Sequence, residues 1–63
     1  MTEEERRRLR LDISTPLTIV SGFSEVLAAD KPISDDARRE YAARIHAAAE
    51  ELREMIDQLL EAA

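Results

Sequence analysis

The sequence predicts an all-α fold, an antiparallel helical hairpin that homodimerises into a four-helix bundle. Three observations carry this expectation. Apolar residues recur in alternating steps of 4 and 3 through two long segments, the spacing of a helical seam. A short joint containing Pro32 separates the two segments, and the rest of the chain is poor in breakers, with one Gly and two Pro in 63 residues. The apolar stripes are also wider than one hairpin can cover. A chain of 7.1 kDa buries only about 60% of its unfolded surface, and with no cysteine it has no disulfide to compensate. Oligomerisation is the remaining route to a core.

The first helix is expected over about residues 3–29. Thr2 caps it, and Glu5 three positions later completes a capping box. Glu3 faces Arg7 and Glu4 faces Arg8 at i, i+4, in the favoured acid-before-base order. The seam then follows as Leu9, Ile13, Pro16, Val20, Phe23 and Leu27, widened on one flank by Ile19 and Val26. The segment is roughly 40 Å long at ~1.5 Å per residue. It ends in the joint 30–34, where Pro32 lacks a donor and disfavours helix at the residue before it. Ser34 caps the second helix, expected over about 35–62, with Asp35 and Asp36 in the first turn where the dipole favours anions. Its seam is Tyr41, Ile45, Ala48, Leu52, Met55, Leu59 and Ala62. Ala42, Ala49, Ile56 and Ala63 broaden it to a bundle-type face. Residues 1–63 read as one domain.

Composition removes several classes of function. Nine basic and fourteen acidic residues give a net charge of −5, which argues against binding nucleic acid by phosphate neutralisation. The Arg6-Arg7-Arg8-Leu9-Arg10 run is preceded by Glu3-Glu4-Glu5, so a salt-bridged helix start accounts for it better than a nucleic-acid site. No apolar run approaches the roughly 18 residues of a membrane span, and no signal peptide is visible. A single histidine, His46, does not make a metal site. It falls at position b of the second helix, with no adjacent acid, and reads as a plain surface residue.

Two residues break the local rules of the first helix. Pro16 deletes the hydrogen bond to the Asp12 carbonyl, a cost of ~3 kcal/mol. Gly22 costs about 1 kcal/mol relative to Ala. Such failures of local consistency concentrate where function interferes.

The residues around Pro16 give the reason. Leu11-Asp12-Ile13-Ser14-Thr15-Pro16-Leu17-Thr18 resembles the H-box of the dimerisation and histidine-phosphotransfer (DHp, HisKA-type) domain of bacterial sensor histidine kinases. That motif runs His, Glu or Asp, an apolar residue, a polar residue, Thr or Asn, Pro, Leu. Asp12, Ile13, Thr15, Pro16 and Leu17 match in order and spacing, and the resemblance extends over essentially the whole chain. One departure outweighs the agreements, because Leu11 stands at the phosphoacceptor histidine. With Ile13 and Val20 at a and Leu9, Pro16 and Phe23 at d, position 11 falls at f. There a histidine would be exposed to a nucleotide or a partner. Thr15, Thr18 and Glu25 share that outward side. Leu11 therefore reads as a replaced histidine, by design or by natural loss.

The resemblance implies a chemistry and a set of partners. In the family the imidazole attacks the γ-phosphate of ATP, and the adjacent carboxylate, here Asp12, acts as base. A leucine has no lone pair, so the phosphoacceptor step is lost. Magnesium-ATP would bind a separate catalytic domain following Ala63, and no cofactor is expected in this chain itself. The implied partners are a second copy of the chain, the receiver domain of a response regulator and that ATP-binding domain, with no nucleic acid and no membrane contact by this segment. The implied location is cytoplasmic, and the resemblance allows a membrane-anchored parent. Receiver docking is expected on Thr15, Thr18 and Gly22, below the bend at Pro16. Thr15 also occupies the position that orients water when such proteins dephosphorylate their regulator; the alternative is that its hydroxyl only bonds a helix carbonyl near Pro16. A dimerisation module without phosphosignalling chemistry is the competing reading from another class. It leaves Asp12-Ile-Ser-Thr15-Pro16 unexplained.

Overall fold

The computed structural model describes residues 1–62. Two helices account for nearly all of it: α1, Glu3–Ala28, and α2, Asp35–Ala62. Among the described residues there is no strand. Both ends expected to be capped are capped. Glu5 N–H donates to Thr2 Oγ1 at 3.1 Å and Thr2 N–H donates to Glu5 Oε1 at 2.9 Å, closing the capping box. Ala37 N–H donates to Ser34 Oγ at 3.1 Å at the start of α2. α1 ends one residue earlier than expected: Ala29 leaves the helix with extended backbone while its N–H is still shared between the carbonyls of Glu25 and Val26. Pro32 disfavours helix at Lys31, so α1 has to end ahead of the joint.

The helices pack antiparallel through the seam read from the sequence. Pro16 and Ala48 are the buried residues, and Leu9, Ile13, Val20, Phe23, Leu27, Tyr41, Ile45, Leu52, Met55 and Leu59 are half-buried. The last seam position, Ala62, is exposed, and Ala63 lies outside the described residues. Near the turn the Phe23 and Tyr41 rings stack with centroids 5.1 Å apart at 32°. The Arg44 guanidinium lies 5.8 Å from the Phe23 ring centre, a cation–π contact, and also bonds Glu40 at 3.3 Å. Ile33 and Ala37 are half-buried and close the turn end.

The ion pairs expected at the start of α1 do not form: among the described residues neither Glu3–Arg7 nor Glu4–Arg8 comes within 4 Å, and the ion pairs that do form lie within α2. Exposed pairs of long side chains gain little over the entropy of holding them. Glu5, by contrast, is fixed by the cap.

The hairpin is a slab of 46 × 19 × 12 Å. The cleft lined by Ile19, Phe23, Arg44, Ala47, Ala48 and Glu51 brings the g positions of both helices, 19 on α1 and 44 and 51 on α2, to one side. In an antiparallel pair the e positions then share the other side: Leu17 on α1 and Ala42, Ala49 and Ile56 on α2. The hairpin thus has two distinct flanks.

Candidate functional site

The H-box residues occupy just over two turns in the middle of α1, and the seam fixes which way each points. Pro16 faces α2 and is the largest fully buried side chain. Ile13 flanks it inside. With those two anchored inward, helical geometry turns Leu11, Asp12, Thr15 and Thr18 outward, and all four are exposed. Leu11 is 64% exposed, beside a shallow depression lined by Glu4, Arg7, Arg8 and Asp12. An apolar side chain so placed contributes nothing to the interior of the hairpin.

Pro16 removes one backbone donor, and the hydroxyl that back-bonds in this region is that of Ser14, which donates to the Arg10 carbonyl at 2.8 Å. Thr15 has no side-chain hydrogen bond among the described residues, so the occupied hydroxyl is its neighbour's and Thr15 Oγ1 is open to solvent.

One turn below, α1 presents a second outward feature. A nearly pure apolar groove of about 350 Å³ is lined by Thr18, Ile19, Gly22, Phe23 and Val26. It continues toward the turn through Gly22, Glu25, Val26, Ala29, Lys31, Pro32 and Ile33. Gly22 lies where the two meet. A Cβ built on it meets nothing within 4 Å, and its φ is not positive, so neither backbone conformation nor packing within the chain requires glycine there. The absent side chain keeps the groove floor low.

Thr15, Thr18 and Gly22 therefore lie along one outward strip of α1 with Leu11 at its upper end. The second-helix residues of this flank, Arg44 and Glu51, and the turn residues Lys31 and Ile33 were not singled out from the sequence. The spacing of Arg44, Glu51 and Gln58 at successive g positions of α2 was the available signal. His46 is exposed on α2, away from the H-box. No group of residues able to hold a metal is found among the described residues.

A buried proline inside the first helix and an exposed strip beside it define a two-helix hairpin that keeps its motif residues outward. The sequence matches the HisKA family, the His Kinase A (phospho-acceptor) domain, over residues 8–63, and the chain belongs to that family. It is thus a histidine kinase dimerisation and phosphotransfer domain of two-component signalling. Neither the curated proteins nor the solved structures searched gave a match. Among the described residues, no helix is long and apolar enough to cross a membrane.

Proposed function

We propose that this chain is a cytoplasmic, homodimeric docking and signal-relay module whose phosphoacceptor chemistry is absent. The observation that carries this reading is the 64% exposed Leu11 at the phosphoacceptor position, with Asp12 and Thr15 exposed beside it. Exposure is what the histidine would need and what a leucine does not. With an alkyl group there, no nitrogen lone pair attacks ATP, while the surface that a receiver would contact is retained. Magnesium-ATP would belong to a separate domain of the parent.

Dimerisation is supported by area. The hairpin exposes 5352 Å², against about 4,100 Å² for a compact monomer of its mass by size scaling. The excess is of the order that a stable interface removes from each partner. The unpartnered e flank, with Leu17 and Ile56 each more than half exposed, is the apolar face available to a second copy.

A receiver domain would dock on the opposite flank, over Thr15, Thr18 and Gly22. The test is a titration of the isolated dimer with its cognate receiver, followed by amide shifts. Perturbation confined to residues 15–26 of α1 and the facing part of α2 is expected. Shifts confined to the ends of the hairpin overturn this docking site, and no binding favours the dimerisation module without phosphosignalling. A retained phosphatase role is favoured by one observation, the unengaged Thr15 hydroxyl. In that role Thr15 would hold a water that attacks the phosphorus of the receiver's aspartyl phosphate. The acyl phosphate P–O bond breaks, and inorganic phosphate and the free carboxylate leave.

A further inference from the structure

We infer that Leu60 anchors the second copy: it packs on the start of α1 in that copy, beside Arg7, and carries the interface past Ile56 to the open end of the bundle. The inference rests on the homodimer proposed above and adds a contact to it. It starts from the large apolar side chains that the hairpin leaves exposed: Met1, Leu11, Leu17, Val26, Ile56 and Leu60. Met1 precedes α1, Leu11 stands at the phosphoacceptor position, and Val26 lines the groove below it. The other three share one flank. Leu17 and Ile56 are at e, and Leu60 follows Ile56 by four residues, only about 40° further round the helix. Ile56 and Leu60 thus form one patch on α2, turned away from the cleft that holds Arg44 and Glu51.

Leu60 has no cover within its own chain. It is 71% exposed, Leu59 takes the seam position beside it, and residues 3–8 of α1 are all exposed. A lone exposed leucine is ordinary; Leu60 is set apart by continuing Ile56 on the flank that faces the second copy. Height along the bundle selects what it meets there. Phe23 meets Tyr41 and Arg44, and Ile19 lies across the cleft from Ala48. Each step up α1 corresponds to one step back along α2, so residue 60 is level with residues 4–7. A two-fold axis along the bundle keeps that level in the second copy. In this stretch Glu4 points away from the seam at f, Glu5 is tied to Thr2 in the cap, and Arg6 continues the seam at a. Arg7, at b, is left on the flank of Leu17. Its methylene stem offers apolar surface while the guanidinium stays in water. Arg8, the next residue, is turned to the opposite flank.

The experiment measures association of Leu60→Gln by sedimentation equilibrium, where a weakening of about tenfold is expected from the lost apolar contact. Circular dichroism at high concentration separates weakened association from loss of folding. The chain has no cysteine, so introduced thiols locate the contact. Leu60→Cys mixed with Arg7→Cys should give a covalent mixed dimer with a short thiol-specific crosslinker. Leu60→Cys mixed with Arg8→Cys should give far less, because these neighbours face opposite flanks. Parental association of Leu60→Gln overturns the inference, and so does crosslinking no better through Arg7→Cys than through Arg8→Cys. In either case the homodimer itself stands, and Leu60 is covered by something other than a second copy. A parental chain that is monomeric throughout removes the homodimer, and the contact with it.

Discussion

The side chain at position 11 stands free of the hairpin interior, so exchanging it should leave folding almost untouched and change chemistry entirely. Leu11→His is expected to move stability by no more than ~0.5 kcal/mol, the scatter of surface exchanges, as read by thermal melts. Joined to an ATP-binding domain of the family, the variant should acquire acid-labile phosphate at position 11. Phosphate on His46 instead would show that the H-box is misaligned. Gly22 makes the opposite case. Because a Cβ there meets nothing within 4 Å, Gly22→Ala should stabilise the isolated chain by up to about 1 kcal/mol through helix propensity. The same methyl raises the groove floor and should weaken receiver binding. A gain in melting temperature with unchanged receiver affinity would leave the glycine without a role in docking. Thr15→Ala should leave receiver affinity nearly unchanged and abolish any phosphatase activity of the parent.

The two helices show which sequence signals translate directly into structure. The 4-3 spacing marked the interior correctly because it fixes direction geometrically, whatever the side chains do. Hence the seam residues from Leu9 to Leu27 and from Tyr41 to Leu59 turn inward. Caps were equally legible, since Thr2 and Ser34 satisfy backbone donors that have no other partner. The Glu3–Arg7 and Glu4–Arg8 pairs were not, because i, i+4 spacing allows an exposed pair without enforcing it. Contacts such as Arg44 over Phe23 depend on how one helix is set against the other, which neither helix encodes alone. In the cap, Glu5 accepts the Thr2 backbone N–H, and this bond, with the Thr2 side-chain contact, lowers its carboxyl pKa below the ordinary glutamate value. A group whose pKa is depressed by folding contributes stability above its unfolded pKa and loses it as pH falls through the folded value. Acidification below the usual glutamate range should therefore speed amide exchange in the first turn of α1 before it affects the middle of the helix. Equal response along α1 would count against the cap as the cause. Thr2→Ala should cost about 1 kcal/mol.

The hairpin as a whole has little interior of its own. Among the described residues only Pro16 and Ala48 are buried, so folding and association are expected to be one process. Melting temperature should rise with chain concentration, and a sharp concentration-independent transition of a monomer would contradict this. Leu17→Asp or Ile56→Asp substitutes a side chain already half exposed in the single chain, yet puts a charge into the apolar face proposed between copies. Either should dissociate the dimer and unfold it through lost association, although no seam residue is replaced. Leu52→Asp attacks the seam directly and should unfold the chain at any concentration.

The two flanks have a consequence for divergence after gene duplication. On the proposed reading, residues that choose a mate would lie at e on one side of the slab, and residues that choose a downstream partner would lie around Gly22 on the other. A duplicated copy can therefore accumulate substitutions on the groove side and acquire a new downstream partner while still pairing with its ancestor. It can equally drift on the mate-choosing side and become an insulated line that serves the same regulator. A chain bearing leucine at position 11 that kept the ancestral mate-choosing side would enter mixed pairs with a phosphorylatable sister and halve the acceptor sites in each pair.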